Sequence, residues 1–403
     1  MKIYKDTNVV EEATKRIEWL FDQYEGCPKI VNISGGKDSI VVWNLVNEVA
    51  KKRGEKIHCM WLDQEAEWSA TVDSVKHMMT DPNVIPLWLQ MPFMMENASS
   101  NTKFWYKLWG IGEQHMREKD PLSLKELSDI EGWSPDFDYY DALNKAPSLI
   151  FPNQRTLLFG GLRSEESPQR HMTVTTTPKY KWVTWARTND DLHYVYYPIY
   201  DWSYIDIWKY IHENKLKYPD IYDKMYAYGE PIQNLRVSSL IHAVAVRSLF
   251  IVQELEPDTY TALTKRFTGI STASQLGKDD YGVPSELPFM FNSWQEYRDY
   301  LLDNLIGKEV GKAHGGGLKS TYDIIRGGFD KLDFWGLTEY ATDYYKTCIE
   351  TIFYNDIDLV KMKQWQSSIG FKIGNKQYNA LKNRAKMEYN EKMETTKLNT
   401  KLL

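Results

Sequence analysis

A six-residue run, Ser34-Gly-Gly-Lys-Asp-Ser39, constrains this chain more than any other feature. It follows a short β-branched segment, Lys29-Ile-Val-Asn-Ile33, and precedes a mostly apolar stretch from Ile40 to Lys52 that Gly54 closes. That order predicts a strand, a glycine turn and a largely buried helix. Glycines let the backbone turn with its N–H groups facing inward, and the helix that follows adds partial positive charge at its start. The product is an anion cradle, with Gly35 and Gly36 as its floor. Lys37 supplies a mobile cation, and the Ser34 and Ser39 hydroxyls can donate to phosphate oxygens. Asp38 can cap the helix or help hold Mg2+. The spacing is not that of a Walker A loop, which sets four residues between its glycines before Gly-Lys-Ser/Thr.

The flanking pattern extends the unit. Val9, Val10, Ala13, Ile17, Leu20 and Phe21 have helical spacing. A second strand, Lys56–Leu62, runs into Asp63-Gln-Glu-Ala-Glu-Trp68, then a helix over Ser69–Met79 and a third strand over Val84–Leu89. This alternation implies an α/β fold with a doubly wound, mostly parallel sheet and right-handed crossovers. Residues 93–150, rich in Trp, Tyr, Asp and Glu, read as a mostly helical insertion. The strand rhythm resumes at Arg155–Phe159, which ends in Gly160-Gly-Leu-Arg-Ser-Glu-Glu-Ser-Pro-Gln-Arg170. A strand over His193–Ile199 and a helix over Tyr204–Glu213 follow. Beyond residue 230 the pattern is helical, most clearly over Leu240–Leu255, while Asp279–Pro288 and His314-Gly-Gly-Gly317 read as loops. The expected organisation is a nucleotide-binding domain over 1–235, a helical domain over 236–375 and a basic helix or tail over 376–403. That tail carries seven basic residues against three acidic ones. It reads as a solvated helix, or as a contact for an acidic partner or nucleic acid.

Composition narrows the function classes. A chain of 403 residues suggests two to three domains, or one large α/β domain with additions. No run of about 18 apolar residues occurs, so no membrane span is expected. The N-terminus has no apolar core of a secretory signal, and Cys27, Cys59 and Cys348 form no Cys-x-x-Cys pair. A cytoplasmic, reducing location is the expectation. The net charge of −6 argues against coating nucleic acid through bulk charge. With 15 Trp, 27 Tyr and 14 Phe, the aromatics are numerous enough to build the core and still line a stacking pocket or an interface.

Loops 34–39, 63–68 and 161–170 all leave carboxyl ends of predicted strands, where doubly wound sheets bind ligands. Asp63 can take a ribose hydroxyl or Mg2+, or cap a turn. Arg163 and Arg170 can clamp phosphate or sulfate in bidentate fashion, or form surface ion pairs. Glu165 and Glu166 can orient those arginines, bind a metal or cap a helix. Trp202 and Trp208 stack on adenine or pack in the core. Arg236, His242 and Arg247 form a cationic set that could close over phosphates.

Ser34–Ser39 resembles the PP-loop of ATP pyrophosphatases, and further segments resemble the phosphoadenosine-phosphosulfate (PAPS) reductase family. These are LDQEAEW at 62–68, GLRSEESPQR at 161–170, YPIYDWSYIDIWKYI at 197–211 and YPDIYDKMYAYG at 218–229. They cover about residues 25–235 in the family's order. The resemblance implies an adenine nucleotide α-hydrolase-like fold binding ATP or a related adenine nucleotide with Mg2+. Ser34, Gly35, Gly36, Lys37, Asp38, Ser39, Asp63, Gly161, Arg163, Glu166, Arg170 and Arg236 would form the site, with Lys37, Asp38 and Arg163 closest to the chemistry.

The family's reductases use a nucleophilic cysteine in a C-terminal Glu-Cys-Gly-type motif, and some carry an iron–sulfur cluster. Neither pattern occurs here: Cys348 sits among apolar residues, and no iron–sulfur cluster is expected. Asn234–Ser239, His242, Arg247–Leu249, Leu255–Tyr260 and Arg266–Gly269 resemble a reductase-like branch that includes the co-activator of immunoglobulin-binding protein expression. Members of that branch occur on phages and mobile elements, often beside a ParB-like or sulfiredoxin-like protein. The expected activity is cleavage of a nucleotide's α–β phosphate bond with adenylylation and pyrophosphate release. The alternatives are a regulatory nucleotide-binding subunit with such a partner, and a sulfate adenylyltransferase-like subunit.

Overall fold

A computed structural model describes residues 6–175, 186–188, 192–232, 235–242, 245, 249–275, 282–313, 317–333 and 340–401. Arg247 and His314 lie outside the described residues, as does part of the predicted Leu240–Leu255 helix.

The first helix, α1 (Val9–Gln23), begins where the Asn8 side chain accepts from the N–H groups of Val10 and Glu11. Strand β1 (Lys29–Asn32) and helix α2 (Lys37–Arg53) flank the glycine turn, and Gly54 ends α2 in the left-handed conformation. Then come β2 (Ile57–Leu62), α3 (Ser69–Met79) and β3 (Val84–Leu89). The insertion contains β4 (Phe93–Glu96), β5 (Trp105–Leu108), β6 (Ser123–Leu124) and α4 (Tyr139–Ile150). It is therefore less helical than expected. Gly110, Gly112, Gly132 and Pro135 break any helical run, and β6 joins the main sheet beside β3. After it come β7 (Thr156–Phe159), α5 (Pro168–Thr175), β8 (Ala186–Thr188), β9 (His193–Tyr196), α6 (Tyr204–Glu213) and α7 (Ile221–Tyr228).

The sheet order is β6-β3-β2-β1-β7-β9-β8, with six parallel strands and β8 antiparallel at one edge. Ile30 of β1 lies opposite His58 of β2 on one side and Leu158 of β7 on the other. β1 and β2 are flanked by strands on both sides, and all their residues except Asn32 and His58 are buried. Helices α1, α2 and α6 contribute Ile17, Phe21, Val42, Val46 and Ile207 to one continuous core with Trp61, Trp88 and Trp202. Trp202 belongs to that core, which settles its role as packing.

Residues 1–95 and 107–266 make one compact unit, and residues 96–106 and 267–403 make another. The division thus falls at 266 rather than at the expected 235. Hydrogen bonding explains why residues 235–266, with α8 (Leu249–Leu255) and α9 (Pro257–Arg266), stay with the sheet. Lys37 Nζ donates to the Leu235 carbonyl at 3.1 Å, and the Leu240 N–H donates to the Ala66 carbonyl at 2.6 Å. The Glu256 carboxylate accepts from the N–H groups of Ser69 and Ala70, capping α3 from a distant part of the chain. Arg266 pairs with Glu65 at 2.8 Å.

The second unit contains α10 (Ile270–Gln275), α11 (Trp294–Leu305), a hairpin of β10 (Val310–Ala313) and β11 (Gly317–Ser320), α12 (Thr321–Asp333), α13 (Ala341–Phe353), α14 (Val360–Ile373) and α15 (Asn375–Lys401). Leu302, Ile325, Phe329, Ile349 and Ile352 form its core. Residues 96–106 belong here because Asn355 Nδ2 donates to the Ser100 carbonyl, and because Gly307 lets the chain approach Thr102. A Cβ at Gly307 would stand 2.5 Å from the Thr102 carbonyl oxygen. The basic tail is continuous helix to Lys401. Among the described residues no helix is long and apolar enough to cross a membrane.

Glu65 has no solvent exposure, so removing Arg266 leaves a buried carboxylate without its cation. Arg266→Leu is expected to destabilise the first unit by about 3–5 kcal/mol, the cost of breaking a buried pair from one side. Urea unfolding of the full chain measures it, and a loss under about 1 kcal/mol would mean that the pair is solvated.

Candidate functional site

Strand order reverses between β1 and β7, so the loops after these two strands open on the same crevice. The first is Ser34–Ser39. Gly35 has φ +72°, and a Cβ there would lie 2.4 Å from Thr71 Cγ2, so only glycine fits without strain. Gly36 is the N-cap of α2 and gives it no side-chain hydrogen bond. The hydroxyl of Ser39 accepts from the Ser34 N–H at 3.2 Å and donates to the Gly36 carbonyl at 2.8 Å, which closes the loop on itself. From the second loop, Gly161 presses on the first turn of α2. A Cβ at Gly161 would stand 3.1 Å from both the Asp38 carbonyl carbon and the Ser39 nitrogen.

Charged side chains alternate in sign around this turn. Arg163, only 5% exposed, pairs through Nε with the Asp38 carboxylate. It also lies 3.8 Å from Glu165 and 3.8 Å from Glu166. Arg170 on α5 pairs with Glu166. Lys37 Nζ is 3.6 Å from Asp38 and stands over the ring of Tyr222. Burial pulls the Lys37 pKa below the ordinary lysine value, opposed by Asp38 and assisted by the charges of Arg163 and Arg236. Arg236 is exposed and acts electrostatically on both Lys37 and Arg170. Glu165 Oε2 accepts from the Tyr204 N–H, so this carboxylate caps α6. Ser34, Gly35, Gly36, Lys37, Asp38, Ser39, Gly161, Arg163, Glu166, Arg170 and Arg236 thus belong to one neighbourhood.

Asp63 has a different setting from the ribose or Mg2+ ligand that the sequence suggested. It is fully buried, and its two oxygens are taken by donors. Oδ1 accepts from the Glu65 N–H and from Arg117, while Oδ2 accepts from Trp88 Nε1 at 2.8 Å and Gln90 Nε2 at 3.0 Å. Four donors use the acceptor capacity of a carboxylate. Glu65, at φ +58°, accepts from the N–H groups of Trp109 and Met116 and from Arg266. The loop after β2 is therefore an anchor for the insertion. Trp208 packs edge-on against Tyr218 and Tyr222.

Sequence reasoning missed three participants. The Tyr222 hydroxyl accepts from the Lys37 N–H at 3.2 Å, and its ring lies beneath the Lys37 ammonium. The Leu235 carbonyl anchors the Lys37 head group. Glu67, 5% exposed, has its pKa raised to about 8 by burial, then by the Asp63 charge, with Arg117 opposing. Tyr222 lies in the 218–229 segment and Leu235 in the 234–239 segment, but nothing in either segment marks its contact with the distant Lys37.

A glycine turn after β1 faces a Gly-x-Arg turn after β7 across the point where the strand order reverses. Residues 28–228 match the family model for the phosphoadenosine phosphosulfate reductase domain. The chain is 25% identical over 319 residues to the uncharacterized protein YbdN of Escherichia coli (strain K12), covering 76% of this chain and 78% of that one. It is 22% identical over 231 residues to the adenosine 5'-phosphosulfate reductase of Oceanobacillus iheyensis, covering 55% of this chain and 78% of the relative. Among solved structures it is similar to a PAPS reductase from Candida auris in a phosphate complex, at 11% identity and a TM-score of 0.30 over 56% of this chain and 94% of that one. An ammonia-dependent NAD synthetase from Campylobacter jejuni gives 13% identity and a TM-score of 0.31 over 70% and 97%.

Two predictions follow from the geometry of the loops. Gly35→Ala forces a left-handed residue against Thr71, so it is expected to lower stability by about 1–3 kcal/mol and to weaken anion binding by displacing the loop. Thermal melting and phosphate titration together read both effects, and unchanged values in both would refute the close approach. Glu67 stays protonated in the fold up to about pH 8 but ionises near 4.5 in the unfolded chain. Its contribution is fully present below pH 4.5 and lost as pH rises through about 8, at up to about 1.4 kcal/mol per pH unit. Glu67→Gln is expected to flatten this part of the stability–pH curve. A slope identical to the wild type between pH 5 and 8 would contradict the raised pKa.

Proposed function

We propose that this protein binds ATP or a related adenine nucleotide in the β1–β7 crevice and cleaves it between the α- and β-phosphates. An acceptor oxygen attacks the α-phosphorus, the bond to the bridging oxygen breaks, and pyrophosphate leaves with that electron pair. The observation that carries this reading is the glycine N-cap of α2, which has no side chain to cap the helix, with Gly35 and Gly36 clearing space and Lys37, Arg163 and Arg170 beside it. Such a cradle stabilises charge that accumulates on the phosphates as the leaving group departs. Burial fixes Lys37 and Arg163 before the nucleotide arrives, so little reorganisation is needed in the reaction.

Mg2+ would neutralise phosphate charge and align the leaving group. Asp38 is the carboxylate best placed to hold it, whereas Asp63 has its acceptor capacity filled. Among the described residues no group of three or more His, Cys, Asp or Glu could cage an ion. The phosphates and water would therefore supply most of its ligands, as is usual for this cation.

Two of the three cysteines support a reaction without a thiol. Cys59 is buried on β2 and burial raises its pKa well above the ordinary thiol value. Cys348 is buried in the second unit, with Sγ 3.9 Å from Met362 Sδ. Neither has the exposed, electropositive surroundings that make a nucleophilic thiolate.

Incubation with α-labelled ATP, Mg2+ and candidate acceptors tests the proposal. Wild type is expected to release pyrophosphate and AMP or an adenylylated product, and Lys37→Ala is expected to lower the rate by about 100-fold or more, the usual cost of removing one charge-stabilising donor. Turnover by Lys37→Ala equal to that of wild type would refute it.

A further inference from the structure

The crevice holds its own anions. Asp38 occupies Arg163, and Glu166 occupies Arg170 while standing 3.8 Å from Arg163. Lys37 is turned to Asp38 and to the Leu235 carbonyl. Among the described residues, Lys37, Arg163 and Arg170 thus each face a carboxylate supplied by the protein. The two carboxylates are not equally committed. Asp38 belongs to the first turn of α2, where negative charge is favoured by the helix start. Glu166 has no such reason to stay: its Oε1 is buried without a hydrogen-bond donor while its other oxygen holds Arg170. A buried carboxylate oxygen lacking a donor costs free energy, so this arrangement is a weak point in an otherwise satisfied site.

We propose that Glu166 is a built-in competitor for the phosphate tail. It occupies Arg170 and shadows Arg163 until a polyanion displaces it, so the arginines are delivered only to a ligand with enough charge to win the exchange. This rests on the reading of the crevice as a nucleotide phosphate site, and it adds the direction in which Glu166 acts. A residue that merely orients arginines strengthens binding, whereas a competitor weakens it. The device discriminates by charge: a phosphate monoanion gains little from displacing Glu166, and a pyrophosphate or triphosphate tail gains much. Arg170 lies on an eight-residue helix at the rim and is about half exposed, so it can carry the exchange without moving the core.

Calorimetric titration of the full chain with inorganic pyrophosphate, in low salt and without Mg2+, tests this. Glu166→Gln keeps the shape and removes the charge, and is expected to bind pyrophosphate about tenfold more tightly than wild type, the scale of one charge-assisted hydrogen bond. In an Arg170→Ala background the same substitution is expected to change affinity by less than about twofold, because the cation that Glu166 pairs with directly is gone and Arg163, 3.8 Å away, stays held by Asp38. Equal or weaker binding by Glu166→Gln overturns the competitor role, and so does a tenfold gain that persists without Arg170. The site reading fails separately: it falls if Lys37→Ala binds pyrophosphate as wild type does, whatever Glu166 shows. Melting temperatures of all variants exclude unfolding as the cause. If Glu166→Gln melts early, Glu166→Ser takes its place with the same expected gain.

Discussion

Two carboxylates without solvent contact, Asp63 and Glu65, hold the first unit together. Burying a charge costs several kcal/mol unless its lone pairs find donors, and here they find them in every direction. Asp63 draws Trp88 and Gln90 from β3 and its flank, while Arg117 comes from the insertion. Glu65 draws the Trp109 and Met116 N–H groups from the insertion and Arg266 from the end of α9. Segments separated by up to 201 residues thereby meet at the carboxyl end of β2, one strand away from the phosphate loop. The left-handed backbone of Glu65 is the local cost of aiming both carboxylates inward.

That anchor decides what the neighbouring loop can do. With the β2 loop locked, the remaining freedom at the crevice lies in side chains of the loop after β7 and in α5. The result is a graded site: Lys37 and Arg163 buried and set, Arg170 half exposed, Arg236 exposed. Charge that is fixed deep in the crevice supplies stabilisation, and charge at the rim supplies capture and exchange. Tyr222 helps set the deep level, since its hydroxyl takes the Lys37 N–H and its ring supports the ammonium.

Much of the sheet was legible because its signals are local. The β1 turn, α3, β3 and α6 follow from periodicity and punctuation, and the observed α3 and α6 coincide with the predicted spans. The insertion was not, because its aromatics follow no helical period. They are held one by one instead: Trp109 Nε1 donates to the Asp63 carbonyl, and Trp133 Nε1 to the Pro92 carbonyl. Such residues satisfy a polar edge and bury a ring independently of spacing. The boundary at 266 was hidden for a related reason. Leu235, Leu240, Glu256 and Arg266 bind the rest of the first unit through a few long-range bonds that leave no pattern in the intervening sequence.

Asp63 and Glu67 show how far a motif can be read. Both stand at the carboxyl end of a sheet strand, where a carboxylate invites assignment as a ligand. Donor supply separates them. Asp63 has four donors, while Glu67, near that same charge, is driven toward its neutral form. A neutral carboxyl can donate a hydrogen bond, which an ionised one cannot. The sequence shows three acidic residues within five positions, yet the chemistry available to each is set largely by surroundings drawn from elsewhere in the chain, with partners up to 201 residues away. Residue type and strand-end position therefore identify where this site lies, and only the donor inventory says which of its carboxylates remains available to a ligand.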